Sequence, residues 1–312
     1  MRILIVGAGA VGGYFGGRLA EAGRDVTFLV RAKRAEELKT KGLQIVSRFG
    51  NLALHPVMIT ADRIAGPYDV ILLSVKSYSL PAAMNDFASA VGPETMIFPV
   101  LNGMRHIDLL VERFGKEAVL GGVCMVSTEV DDEGRIHQLT DFQRLIYGEL
   151  DGRSTPRLQR LDETLRGAGF DVSISDNILR AMWQKWVQLA TLGALTCLLR
   201  GNVGEIASVP GGAEIARMAL RESCSIATAN GYPQSEAFLA DQAAKLMTAG
   251  SPLTSSMYRD LRKGAPVEVD TILGDLLERG REHGLAAPIL QAAYVTLSIY
   301  QRGLDIAKSA AN

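Results

Sequence analysis

The strongest constraint on this chain is a run of glycines set between a strand-like and a helix-like segment near its start. Ile3 to Val6 is a short apolar stretch rich in β-branched residues, the pattern of a buried strand. It runs directly into Gly7-Ala8-Gly9-Ala10-Val11-Gly12, which has the G-x-G-x-x-G spacing. A helix-period segment follows, with Tyr14 and Leu19 among small residues, and Gly23 stops it. Asp25 to Val30 then reads as a second strand, ending at Arg31. Strand, tight turn, helix and strand within about thirty residues is the context in which such glycines act together. Gly7 allows the turn, Gly9 lets backbone approach a pyrophosphate, and Gly12 lets the helix pack close to the strand. The helix N-terminus turns unpaired N–H groups and a positive dipole end toward phosphate. Gly7, Ala8, Gly9, Ala10, Val11 and Gly12 are therefore candidate cofactor-binding residues, against the alternative of a purely structural glycine turn.

The end of the second strand selects the nucleotide. NAD-binding and FAD-binding sites place Asp or Glu there to hold the ribose 2′-hydroxyl. This chain has Arg31, a cation able to clamp a phosphate, so NADP(H) is expected over NAD(H) and a flavin is disfavoured. Lys33 and Arg34 follow, and for these two a solvated basic loop is the simpler reading.

At 312 residues the chain is long enough for about two domains. Its net charge of −1 offers no reason to expect nucleic acid or an anionic membrane as partner, so any anion binding has to be local. No stretch offers eighteen uninterrupted apolar residues, and no transmembrane helix is expected. Arg2 before an apolar run imitates a signal peptide, but the regular strand-helix-strand unit and its six glycines from Gly7 to Gly17 argue against one. Cys124, Cys197 and Cys224 are odd in number and lack zinc spacing, which suits reduced core residues. No metal site is expected, and a cytoplasmic enzyme fits best.

Further along, Ala32 to Lys41 is helix-like and closed by Gly42, and a looser β region covers Leu43 to Val46 and Leu52 to Ile59. Val70 to Leu73 is a continuous apolar run, the mark of a parallel strand buried on both faces. It delivers Lys76 to the strand's carboxyl end, where open α/β sheets bind ligands. A solvated loop lysine is the alternative. The strand from Thr95 delivers Asn102 and Gly103 to the same edge, although Asn-Gly is also a common turn signal. Val119 to Val126 gives another strand. Arg135 to Gly148 alternates in a way that suggests antiparallel strands closing the sheet, followed by a helix from Ser154 to Gly167 and an edge strand from Phe170 to Ile174.

Around Ser175 strand-like runs end. The expectation is an α/β chain: a Rossmann-like dinucleotide-binding domain over residues 1–174, then an all-α domain over residues 175–312. Asp176 is a plausible N-cap for a long helix through Leu198. Further helices are expected over Gly211 to Asn230, Ser235 to Met247, Ser255 to Lys263, Val267 to His283 and Pro288 to Leu304.

These residues resemble the ketopantoate reductase (2-dehydropantoate 2-reductase) family. The resemblance rests on G-A-G-A-V-G at residues 7–12, Arg31, Val75-Lys76 and Asn102-Gly103. From the helical half come Trp183-Gln-Lys185, Ser255-Ser-Met-Tyr-Arg-Asp260 and Glu268-Val-Asp270. It implies NADPH-dependent reduction of ketopantoate to pantoate, in pantothenate biosynthesis, in a cleft between the two domains. It also implies Lys185 as the catalytic lysine with Glu268 near the nicotinamide end. Lys76 and Asn102 fall at cofactor and substrate, and Ser256 and Asp260 at the substrate. The implied partner is a small-molecule 2-keto acid, and a homodimer is an admissible assembly.

The chemistry suits those residue types. Hydride delivery to a ketone builds negative charge on oxygen, which an ammonium stabilises and can protonate. Taken without the resemblance, Lys185 reads as a solvated helix lysine between Trp183 and Trp186, and Glu268 as a first-turn carboxylate favoured by a helix dipole.

One departure stands out. The family places substrate-binding asparagines four and eight residues after the lysine, where this chain has Leu189 and Gly193. A third is replaced by Val203, with Asn202 beside it, while Gln188 and Thr196 keep polar capacity near the Lys185 face. An amide replaced by an apolar group forfeits on the order of 1–3 kcal/mol of hydrogen bonding. A reductase of a different 2-keto acid is therefore the second reading, and a non-catalytic NADP(H)-binding sensor the third.

Overall fold

The computed structural model describes residues 1–311, and the chain divides into two compact units. One comprises Met1–Leu101 and His106–Ala181; the other comprises Asn102–Arg105 and the chain from Met182 onward.

The first unit opens with β1 (Arg2–Val6), α1 (Ala10–Glu21), β2 (Asp25–Leu29) and α2 (Ala32–Lys41). Next come β3 (Leu43–Val46), β4 (Leu52–Leu54), β5 (Met58–Ile59) and β6 (Val70–Leu73). Beyond β6 lie α3 (Leu80–Phe87), β7 (Met96–Pro99) and α4 (Arg105–Phe114), the two helices being additional to those expected from sequence. Five strands pair in parallel in the order β5-β2-β1-β6-β7. Ile3, Leu4 and Ile5 of β1 and Ile71, Leu72 and Leu73 of β6 are completely buried, as continuous apolar strands are when both faces are covered. The chain moves outward from β1 to β2 and β5, then returns to place β6 on β1's other side. The order reverses between β1 and β6, so their carboxyl ends frame the crevice where such Rossmann-like sheets take ligands.

The remaining strands are β8 (Leu120–Met125), β9 (Thr128–Val130), β10 (Ile136–Gln138), β11 (Arg144–Glu149) and β12 (Asp171–Ile174), with α5 (Pro156–Leu165) before the last. The alternation over Arg135 to Gly148 suggests that they close the parallel sheet, but among the described residues they pair with it only through an isolated parallel bridge from Val119, just before β8, to Ile97 of β7. β9 and β10 join β3 and β4 in a four-stranded sheet, while β11 lies between β8 and β12 in a three-stranded one. The reason lies in α1, which is packed on two sides. A side chain at Gly16 would strike Phe28 and Ile5 of the parallel sheet, and side chains at Gly13 and Gly17 would strike Ile136, Leu43 and Ile45 of the four-stranded sheet. The Leu52 to Ile59 region splits between these sheets at Pro56, which has no N–H to offer a ladder.

The described part of the second unit is helical. α6 (Ile178–Leu199) is followed by α7 (Val203–Ser208), α8 (Gly212–Ala229), α9 (Glu236–Leu246) and α10 (Ser256–Arg262). A π-helical turn (Asp270–Gly274), α11 (Asp275–Glu282) and α12 (Pro288–Ala311) complete it. Asn177, not Asp176, caps α6: its Oδ1 accepts the Arg180 N–H at 3.2 Å, the three-residue reach an N-cap needs. The expected helix from Val267 to His283 starts at Val269 and runs through the π turn into α11. α7 is new, and it starts at a capping box in which Asn202 and Glu205 satisfy each other's backbone N–H. Among the described residues no helix is long and apolar enough to cross a membrane. All three cysteines are buried and unbridged.

One buried ion pair gives the first unit a pH signature. Glu149, at the end of β11, accepts two bonds from Arg157 (2.8 and 2.5 Å) and one from the Thr155 hydroxyl (2.6 Å). Burial pushes its pKa up, but the guanidinium and the hydroxyl outweigh this and hold it below the ordinary 4.5. The unfolded chain therefore binds the proton more readily. The pair's contribution is complete above pH 4.5 and is lost as pH falls through the depressed folded value. Glu149→Gln is expected to lower unfolding free energy by about 2–3 kcal/mol at neutral pH. In urea titrations the gap to wild type should shrink below pH 4.5; a constant gap would remove Glu149 from the acid dependence.

Candidate active site

In the first unit the glycine turn forms where β1 hands over to α1. Gly7 sits at φ +103°, a conformation other residues rarely adopt. The Ser74 hydroxyl, one residue past β6, donates to the carbonyls of Gly7 (3.0 Å) and Val6 (3.1 Å), so the adjacent strand end pins the turn. A Cβ at Gly12 would overlap the Gly7 carbonyl oxygen and Ser74 Oγ, which is the close approach that this glycine permits. Gly9, at the N-cap position of α1, faces open space: apart from its own chain neighbours, nothing lies within 4 Å of where its Cβ would stand. No side chain caps α1 and its first turn carries no acidic residue, so the helix end keeps its positive character toward that opening.

Arg31 occupies the N-cap position of α2 with its side chain 69% exposed, 3.9 Å from the Asp86 carboxylate. At that length and exposure the pair holds it only loosely. Arg34 is placed differently from the solvated loop residue expected. Its Nε donates to the Ala8 carbonyl (3.2 Å) and its Nη1 bonds Glu37 (3.0 Å), so the first turn of α2 is tied back to the glycine turn. The signal available in sequence was only its position one helical turn after Arg31. Lys76 is exposed and opens the short 3₁₀ turn Ser77–Ser79 beyond β6.

In the second unit three segments converge on the π turn. The buried Trp186 of α6 donates from Nε1 to the Ile272 carbonyl at 2.9 Å. Gly103, at φ +77°, lies so close that a Cβ there would stand 2.8 Å from the Thr271 carbonyl oxygen. Glu268, 7% exposed, stands two residues before the turn, and its carbonyl accepts the Ile272 N–H. Lys185 neighbours Trp186 and Asn102 neighbours Gly103. Asn102, Lys185 and Glu268 are thus delivered by three stretches of chain that meet on one irregular turn, and π turns are over-represented at functional sites.

Ser256 and Asp260 lie on α10, which docks further along α6. There Ser255 caps α10, accepting the Tyr258 N–H, and its hydroxyl sits 2.8 Å from that of Thr196. Thr196 is eleven residues past Lys185, about 16 Å along the helix. Thr196 is no longer available as polar capacity, because it is fully buried and also donates to the Leu192 carbonyl. Asn202 is likewise committed to its capping box. Burial pushes the nearby Cys197 thiol up to about 11, which leaves it an inert core residue. Met257, unremarked in the sequence, puts its terminal methyl 2.7 Å from where a Cβ at Gly193 would be.

Residues 3–152 match the family described as "Ketopantoate reductase PanE/ApbA", and residues 177–301 match its C-terminal part, "Ketopantoate reductase PanE/ApbA C terminal". The chain belongs to the ketopantoate reductase family. It is similar to the "Uncharacterized oxidoreductase YkpB" of Bacillus subtilis, 39% identical over 302 residues, which covers 96% of this chain and 99% of that one. A 2-dehydropantoate 2-reductase of Archaeoglobus fulgidus is 30% identical over 284 residues, 91% of this chain and 92% of that one. Among solved structures, 2-dehydropantoate 2-reductase from Geobacter metallireducens superposes with a TM-score of 0.87 at 30% identity, covering 96% of this chain and 99% of that one. This family member is an oxidoreductase with the fold those proteins share.

The glycine turn can be probed directly. Gly12→Ala should lower unfolding free energy by about 2–4 kcal/mol, because backbone must shift to admit the methyl. Gly9→Ala faces open space and should change it by less than about 1 kcal/mol. Chemical denaturation of both variants checks this, and equal losses would contradict the packing role of Gly12.

Proposed function

We propose that this protein reduces a 2-keto acid to the 2-hydroxy acid with NADPH, in the manner its family name describes for ketopantoate. The observation that supports the reading is that Trp186, beside Lys185, and Gly103, beside Asn102, both pack on the π turn that follows Glu268, together with a glycine turn whose open side faces no side chain. The fit to a dinucleotide rests on that open side: Gly9 leaves room for a pyrophosphate and the uncapped α1 terminus suits its charge.

In this reading Gly7, Ala8, Gly9, Ala10, Val11 and Gly12 hold the pyrophosphate. Arg31, exposed at the start of α2, clamps the 2′-phosphate, which gives NADPH its advantage over NADH. NADPH supplies the hydride. Lys185 acts on the acceptor: its ammonium stabilises the charge that grows on the carbonyl oxygen, gives that oxygen a proton, and is reprotonated from water. Glu268 orients Lys185 or accepts from a hydroxyl, and Ser256 donates to the substrate carboxylate. Lys76 and Asn102 contribute at the junction of cofactor and substrate, and Asp260 supports Ser256 from the same helix. Leu189 and Gly193 favour a 2-keto acid other than ketopantoate.

Lys185→Ala should lower kcat by roughly 10²–10⁴-fold with NADPH affinity nearly unchanged. Unchanged turnover would end the catalytic assignment. NADPH binding by wild type with no turnover of any 2-keto acid would favour a sensor instead. Arg31→Asp should raise the Kd for NADPH far more than that for NADH, measured by fluorescence titration; equal losses would take Arg31 out of the phosphate site.

A further inference from the structure

Resting on the reductase reading, we propose that the acceptor is a 2-keto acid with an apolar side chain, branched alkyl or aromatic, recognised by hydrocarbon from Leu189. Leu189 stands one turn beyond Lys185 on the same face of α6 and is half-buried. One turn further, Gly193 contributes no side chain, and the space beside it is taken by the Met257 methyl, 2.7 Å from where a Cβ would be. Leu192, 6% exposed, adds to the same face.

The polar groups in this part of the helix are already engaged. The Thr196 hydroxyl donates to the Leu192 carbonyl at 2.7 Å and is paired with Ser255, which accepts from Tyr258. Thr191 donates to the Val187 carbonyl at 2.8 Å and meets Ser223 at 3.0 Å. Asn202 and Glu205 close on each other. Gln188, which shares the Lys185 face, and Ser256, which opens α10, suit the keto and carboxylate groups that every 2-keto acid carries. Met257, 2% exposed, backs this face from within, and the side chain the face offers one turn beyond Lys185 is Leu189. It offers only dispersion and the exclusion of water, so a hydroxyl brought against it loses its water and gains no partner there.

Ketopantoate carries such a hydroxyl. Trimethylpyruvate has the same carbon skeleton without it, so the pair isolates the one group in question. Wild-type protein with NADPH is expected to show kcat/KM for trimethylpyruvate roughly five- to a hundredfold above that for ketopantoate. Leu189→Asn should move the ratio at least about tenfold toward ketopantoate by restoring a partner, whereas Leu189→Met, still apolar, should leave it unchanged. Because the readout is a ratio, a general loss of activity in either variant does not disturb it. Preference of the wild type for ketopantoate would overturn this inference while leaving the reductase standing. No turnover of either acid, nor of pyruvate or phenylpyruvate, would overturn the reductase reading and this inference with it.

Discussion

Close approach through missing side chains is the constraint on which the first unit depends. α1 is buried between the parallel sheet on one side and the four-stranded sheet on the other, and its glycines leave room for Phe28, Ile136, Leu43 and Ile45. A helix flanked this way has no space for larger residues at those positions, since interiors pack at nearly crystalline density. The same closeness brings the start of α1 against the end of β6, where Ser74 bonds the carbonyls of Gly7 and Val6. The turn that opens toward solvent at Gly9 is rigid because its inner side is packed and bonded.

The second unit uses a different device. In the π turn the Asp275 N–H reaches back to the Asp270 carbonyl, so one extra residue enters the helical repeat and the local bonding pattern is displaced. Trp186 takes the Ile272 carbonyl as its partner, a bond that would be expensive to leave unmade at this depth. Its ring also lies beneath the Arg279 guanidinium and beside Trp183, which stacks on Tyr232. The turn is thereby held to α6 within a turn of Lys185, and Gly103 brings Asn102 to it from a remote part of the chain.

Much of this was legible beforehand. β6 and α2 fall on their apolar and capped stretches, because a strand buried on both faces and a helix closed by glycine leave strong local patterns. α7 carried a readable sign, Asn202 with Glu205 three residues on, which marks a helix start even when the helix is short. The cap of α6 was placed one residue early because Asp176 and Asn177 are equally good caps, and only backbone geometry selects between them. The partner sheet of Ile136 was not legible at all. Alternation shows that a strand has an inner face without saying which surface that face will meet.

The amino-acid order therefore settles what short-range sterics and charge control: the glycine turn, the buried parallel strands, the basic residue after β2 and the change to helical grammar past Ser175. Three outcomes depend instead on which distant residues come into contact. Arg34 folds onto Ala8, Thr196 is consumed by Ser255, and Met257 fills the gap at Gly193. Residues so far apart in sequence, 26 positions for Arg34 and Ala8 and 59 for Thr196 and Ser255, carry no periodicity relative to one another, so only packing decides whether a side chain is free for a ligand or already committed.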